Sequence, residues 1–418
     1  MESSPVFPPE LLGEIVAYVQ SPSDLLQLRA ANTTLNTFAT PRAFRSVCLV
    51  NRENSIRDFK LLASSELAHH VREIIFQYME ADPGAFVQDR SIHLSRLILA
   101  TGGTNTDRES EPVPDHAPRR FDGMAFVQAL DHIRHFPGLE SLVLSFREDD
   151  GPFKSDFADD THGRQLPSEY VLQSFTFGTL AVMPIRFLPP LKSFTVDKYL
   201  PIMDPTIKTP SVIALLSKLS HLAIKTTMPC AALPMTDPQY ESYWANSYFE
   251  KEVVPTSLVS LVLHHACVRP ADLLLPISEL QFPHLETLSL QRNYFGDPSE
   301  FNDLEDFIAR HGRTLSDLKL FLCPMAMSTS MIPNVRPEHF RRWSQLWEHL
   351  NDDMEVLRKL VVSERHDSEG VEYEDVARYV DNCHHLNAME LEESEDVEDN
   401  DALDRFQKNV ESRLNYQM

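Results

Sequence analysis

One short phrase recurs along the 418-residue chain: an apolar residue, two variable residues, an apolar residue, one variable residue and a third apolar residue. It reads VREIIF (Val71, Ile74, Phe76), LSRLIL (Leu94, Leu97, Leu99), LESLVL (Leu139, Leu142, Leu144) and LQSFTF (Leu172, Phe175, Phe177). LKSFTV (Leu191, Phe194, Val196), LSHLAI (Leu219, Leu222, Ile224), LVSLVL (Leu258, Leu261, Leu263) and LETLSL (Leu285, Leu288, Leu290) follow. LSDLKL (Leu315, Leu318, Leu320), LRKLVV (Leu357, Leu360, Val362) and LNAMEL (Leu386, Met389, Leu391) complete the series. From Leu258 the first position advances to Leu285, Leu315, Leu357 and Leu386, steps of 27, 30, 42 and 29 residues. A unit of that size cannot close a core alone, so the phrase predicts an array in which each unit buries its apolar face against its neighbours.

The segments between phrases carry helix signals. DPSEFNDLEDFIARHG sets Phe301, Leu304, Phe307 and Ile308 at helical spacing, with Pro298 and Ser299 near its start and Gly312 at the position of a helix-ending glycine. RPEHFRRWSQLWEHL repeats the scheme with Phe340, Trp343, Leu346, Trp347 and Leu350. DPQYESYWANSYFEKEVV and YEDVARYVDNCHHL predict two more helices, and DALDRFQKNVESRLNY predicts a charged amphipathic one suited to cap the array.

Two phrases extend to a terminal Asn or Cys, LETLSLQRN to Asn293 and LSDLKLFLC to Cys323. In this pattern the chain resembles leucine-rich-repeat proteins. The resemblance implies an α/β fold over residues 51–400, an irregular leucine-rich-repeat solenoid with parallel strands on its concave face and helices on its convex face. Polar stretches at 101–118 and 148–165 read as surface insertions, and 401–418 as a C-terminal capping helix. In such proteins the variable strand residues line the concave face, which makes Lys198, Lys225, His264, Arg292, Lys319 and Phe321 candidate substrate contacts. The four cations would form a stripe able to hold an acidic or phosphorylated peptide. The competing reading is that they are solvated strand residues.

Ahead of the array, PPELLGEIVAYVQ stacks Leu11, Leu12, Ile15, Val16 and Val19 on one helix face, with Pro8 and Pro9 admissible in the first turn. Ser21 to Asp24 interrupt it, and Asp24 is expected to cap a second helix over LLQLRAANTTLNTFA whose Leu25, Leu28, Leu35 and Phe38 face inward. PRAFRSVCL predicts a third short element ending near Leu49. About 45 residues in three short helices is too little for a secure independent core, so such a module gains by burying its remaining apolar face on a partner. Pro9-Glu10-Leu11-Leu12, Ile15, Asp24-Leu25-Leu26, Leu28-Arg29, Leu35 and Pro41 to Arg45 together resemble an F-box, here residues 5–50. The resemblance implies that Pro8, Pro9, Leu11, Leu12, Ile15, Leu25, Leu26 and Leu28 contact a Skp-type adaptor, and through it a cullin and a RING protein, while the repeats hold a protein substrate.

Composition narrows the alternatives. With 38 Lys+Arg against 62 Asp+Glu the formal net charge is -24, an unfavourable field for nucleic acid. Cys48, Cys230, Cys267, Cys323 and Cys383 are odd in number and contain no C-x-x-C, which suits a reducing compartment. Glu2 stands where a secretory signal carries basic residues, and no apolar run approaches the roughly 18 residues that span a bilayer. A cytoplasmic or nuclear protein without membrane contact is expected.

Among the pairs His69-His70, His264-His265 and His384-His385, neighbours on a regular strand point to opposite faces, so no metal is expected. The acidic runs from Glu148 to Asp160 and from Glu390 to Asp404 lack the spacing of a calcium loop. TGGTNT lacks the ending of a phosphate-binding loop, and neither G-x-S-x-G nor H-E-x-x-H occurs. No cofactor is expected and catalysis has no visible seat. The expectation is therefore a non-enzymatic substrate-recognition subunit of an SCF-type ubiquitin ligase, the alternative being a non-degradative F-box and repeat scaffold for protein–protein interaction.

Overall fold

The last two apolar positions of the phrase stand two residues apart, the period of a strand, and the chain uses them so. The computed structural model describes residues 7–78, 123–146, 168–199, 205–226, 255–265, 280–293, 295, 304–327, 342–363, 379–381 and 393–415. Its strands are Ser46–Val50 (β1), Glu73–Gln77 (β2), Ser141–Ser145 (β3), Ser193–Tyr199 (β4), His221–Thr226 (β5), Ser260–His264 (β6), Thr287–Gln291 (β7), Asp317–Phe321 (β8), Met325–Met327 (β9), Lys359–Ser363 (β10) and Tyr379–Asp381 (β11). Strands β1 to β8 and then β10 form a nine-stranded parallel sheet in chain order, and β9 pairs with β11 apart from it. The helices are Pro9–Tyr18 (α1), Pro22–Ala31 (α2), Thr33–Ala43 (α3), Glu53–Ala63 (α4), Gly123–Ala129 (α5), Ser168–Val182 (α6), Pro210–Leu216 (α7), Leu304–Arg310 (α8), Trp343–Asp353 (α9) and Glu393–Asn415 (α10). The fold is α/β.

The phrases beginning at Val71, Leu139, Leu191, Leu219, Leu258, Leu285, Leu315 and Leu357 supply β2 to β8 and β10. Register keeps like with like: Leu142 pairs with Phe194, Phe194 with Leu222, then Leu261, Leu288, Leu318 and Leu360 continue the ladder. Since strand side chains alternate, one row of leucines fixes the whole face. That face joins one continuous core with Phe59 of α4, Phe126 of α5, Phe177 of α6, Leu215 of α7, Phe307 of α8, Trp347 of α9 and Phe406 of α10. The first residue of each of these eight phrases, from Val71 to Leu357, is buried as well.

Asn293 and Cys323 explain why a phrase can end in Asn or Cys. Asn293 Nδ2 donates to the carbonyls of Leu263 and Gln291, both at 3.0 Å. The Cys323 thiol donates to the equivalent carbonyls, Leu290 at 3.7 Å and Phe321 at 3.4 Å. Each ties the end of its own strand to the preceding one.

At the far end, α10 docks on α9. Asp399, fully buried, accepts the Ser344 N–H at 2.7 Å in the first turn of α9, where a carboxylate also meets the positive end of the helix dipole. Ala402, Phe406 and Val410 form its buried stripe. The helix expected to begin at Asp401 starts at Glu393.

Several expectations are corrected. LQSFTF lies within α6: Gln173, Thr176, Phe177 and Leu180 are buried at helical spacing, and this outweighs the alternation of Phe175 and Phe177. SVCLV, read as the end of the N-terminal module, is the first strand of the sheet, and Phe44, Val47 and Leu49 carry the same spacing as the phrase. The single helix expected from Leu25 to Ala39 is divided at Asn32, which caps α3, and Ser21 rather than Asp24 caps α2. Tyr379–Asp381, within a predicted helix, pairs as β11 with β9. Gly312 stands just past α8 as expected, but its backbone is not left-handed; a Cβ there would overlap the Asp353 carbonyl, so close packing is what requires glycine. LSRLIL, LNAMEL, the insertions at 101–118 and 148–165, the helix expected from Asp237, His384-His385, Cys230, Cys267 and Cys383 lie outside the described residues.

Candidate interaction sites

The N-terminal helices are joined by side chains that satisfy their ends. Ser21 Oγ accepts the Asp24 N–H at 3.4 Å, and Asn32 Oδ1 accepts the Leu35 N–H at 2.8 Å. Arg42 of α3 donates to the Val19 carbonyl just beyond α1 at 3.3 Å, and the Arg29 guanidinium lies 5.1 Å from the Phe44 ring centroid. A Cβ on Gly13 would stand 3.3 Å from the Phe38 ring, so α1 sits close upon α3.

The module's own core is small. Val16, Leu25 and Ala39 are buried, with Val19, Leu28, Leu35, Phe38 and Ala43 partly so. Outside it, Leu11 is 45% exposed, Ile15 49%, Tyr18 84%, Leu26 46% and Phe7 59%. Leu11, Ile15 and Tyr18 follow one another at steps of four and three residues, one line along α1, and Phe7 lies two residues ahead of the helix. Of the residues assigned to the adaptor, Pro8, Pro9, Leu11, Ile15 and Leu26 are therefore on the surface, and Leu12 and Leu28 are half-buried. Leu25 belongs to the core and supports the surface from beneath. The apolar face expected of α1 divides: Val16 turns inward and Leu11 and Ile15 outward. Tyr18 shares this exposed line without being among the residues assigned to the adaptor, and its spacing from Ile15 and Leu11 is the sequence signal for it.

The second site is the sheet face opposite the helices. Pairing aligns Lys225 with His264, His264 with Gln291, Gln291 with Phe321, and Phe321 with Ser363. His264 Nε2 is 2.9 Å from Ser289 Oγ on β7, and its ring meets Phe321 edge-on at 6.2 Å. The imidazole thus leans across β7, where Ser289 and Gln291 are buried. Lys225 is exposed. Lys319 is held by Asp317 at 3.6 Å, and Lys359 approaches the same carboxylate at 3.8 Å. Lys198 and Arg292 occupy left-handed backbone, with φ of 54 and 55°, at the C-terminal ends of β4 and β7; Leu322 does so after β8, with φ of 50°. The structure brings His264 and Phe321 together and aligns Lys198, Lys225 and Arg292 at one end of the strands; Lys319 lies apart from them.

His265 and His264 diverge. His265 is buried, its Nδ1 3.0 Å from Thr226 Oγ1, and burial pushes its imidazole down to about 4. Cys323 is half-buried, and desolvation of its sulfur pushes the thiol up to about 12, which keeps it protonated. Among the described residues no group of three or more His, Cys, Asp or Glu could hold a metal ion, and no helix is long and apolar enough to cross a membrane. No family model matches the chain, and no curated protein is significantly similar to it.

Proposed function

We propose that the chain is the substrate-recognition subunit of an SCF-type ubiquitin ligase, with the N-terminal helices as an F-box that docks a Skp-type adaptor and the sheet as a degenerate leucine-rich-repeat domain that holds a protein substrate. The observation that carries the reading is the line of Leu11, Ile15 and Tyr18 on α1, exposed together with Phe7 ahead of that helix and Leu26 on α2, on a module whose own core is three buried side chains. Apolar side chains of that size gathered on so small a unit mark a surface completed by another protein. The chain-order parallel sheet and the carbonyl contacts of Asn293 and Cys323 support the repeat reading. The activity is that of a bridge: it raises the local concentration of substrate lysines near a ubiquitin-conjugating enzyme without supplying a catalytic group.

Expression of the tagged chain and of a Leu11→Ser, Ile15→Ser variant tests this. Cullin and RING protein should co-purify with the wild type and be lost with the variant, while both melt alike. Equal recovery of the cullin with both, or its absence from both, would overturn the reading.

A further inference from the structure

We infer that the C-terminal ends of β4 to β7, on the open face of the sheet, bind a short acidic segment of a partner protein laid across the strands. This rests on the reading that this face holds a protein substrate, and it names the chemistry selected. Four hydrogen-bonded strands in succession each carry a cationic or imidazole group at the same end: Lys198 on β4, Lys225 on β5, His264 on β6 and Arg292 just after β7. At strand spacing the row spans about 14 Å, the length of about four extended residues. Among the described residues of these four strands Asp197 is the one carboxylate, and it accepts the Ser145 hydroxyl at 3.3 Å from the β3 side. Lys319 takes no part, since it lies on β8 against Asp317.

Lys198, Arg292 and Leu322 all hold left-handed conformations at the ends of their strands, which glycine or asparagine would adopt at lower cost. A leucine holds it as well as the two cations, so the conformation belongs to the turn that follows the strand, and the charge of Lys198 and Arg292 is what the row adds to it. Charge complementarity selects the occupant. The chain as a whole carries -24 and its field opposes an acidic ligand, so attachment comes from charge-assisted hydrogen bonds made at the row itself. Carboxylates and phosphates share that chemistry.

Fluorescence anisotropy on the full chain tests the inference, with three labelled peptides of equal length: one of Asp and Glu, one with phosphoserines, and one of Asn and Gln. At least one acidic peptide should bind and the neutral one should not; the tighter of the two identifies the anion. Lys225→Glu, at an exposed position, should weaken binding by about tenfold or more, and Lys319→Glu should leave it within about twofold. Binding of the neutral peptide as tight as the acidic ones, absence of binding by both acidic peptides, or a Lys225→Glu chain that binds like the wild type would overturn it. Adaptor binding measured on the same samples reports the α1 surface separately, so loss of one reading is distinguished from loss of the other.

Discussion

The three-helix module and the sheet spend their apolar residues in opposite ways. In the sheet, Leu142, Phe194, Leu222, Leu261, Leu288 and Leu318 are all buried under the helices, and the open face of β3 to β7 carries short, polar or charged residues. In the module, Val16, Leu25 and Ala39 are buried while Leu11, Ile15, Tyr18 and Leu26 stay in water. The sheet region completes its core with its own helices. The module has the pattern of a core and too few elements to cover it, and the uncovered side is the surface that we propose another chain covers.

The largest expected effect separates the two cores. Trp347 is fully buried, stacked on Trp343 at 4.8 Å and facing Phe406 at 6.2 Å, so Trp347→Ala should destabilise the main unfolding transition by about 3 to 5 kcal/mol. Leu25→Ala should instead loosen the module alone, read as faster amide exchange in α1 to α3 with the main transition unmoved. Equal shifts of the main transition by the two changes would abolish the contrast.

Acid should act next, and on the sheet region. His265 is held near 4 by burial, and His311 is lowered for the same reason. His311 Nε2 accepts the Phe282 N–H at 2.9 Å while its other nitrogen lies 2.6 Å from the Phe307 carbonyl, an arrangement that needs the neutral ring. Between the ordinary histidine value of 6.5 and about 4 the unfolded chain binds more protons than the folded one. Stability from these groups is therefore complete above pH 6.5 and falls as the pH drops towards 4, by about 3 kcal/mol for His265. Denaturant titrations across that range check it, and a His265→Gln chain should show the shallower slope.

The smallest effect sharpens the comparison from the other side. Asn32→Ala removes the side chain that caps α3 and should cost about 1 kcal/mol, confined to amide exchange in α2 and α3.

The sheet was legible because its signal is redundant: phrases with the same internal spacing specify the same ladder, and a degenerate one such as LKSFTV is held in register by its neighbours. Where a single segment decided the matter, sequence did less well. In LQSFTF a two-residue alternation concealed the helical face of Gln173, Thr176, Phe177 and Leu180. In Phe44, Val47 and Leu49 the phrase lacks leucine at its first two apolar positions and adjoins a helix, so the first strand was assigned to the module before it. Asp317 shows a different limit, since only the fold places its carboxylate against both Lys319 and Lys359. On α1, hydrophobicity alone did not distinguish Val16, which fills the core, from Ile15, which faces out.

The central claim is that the outer line of α1 is half of an interface. Calorimetric titration of the purified full chain with a purified Skp-type adaptor tests it most directly. The account predicts saturable binding by the wild type and a loss of about a hundredfold or more in the Leu11→Ser, Ile15→Ser variant, with unchanged melting, because both side chains lie on the proposed contact and outside the module's core. Equal affinity of the two chains for the adaptor, or no binding by either, would contradict it.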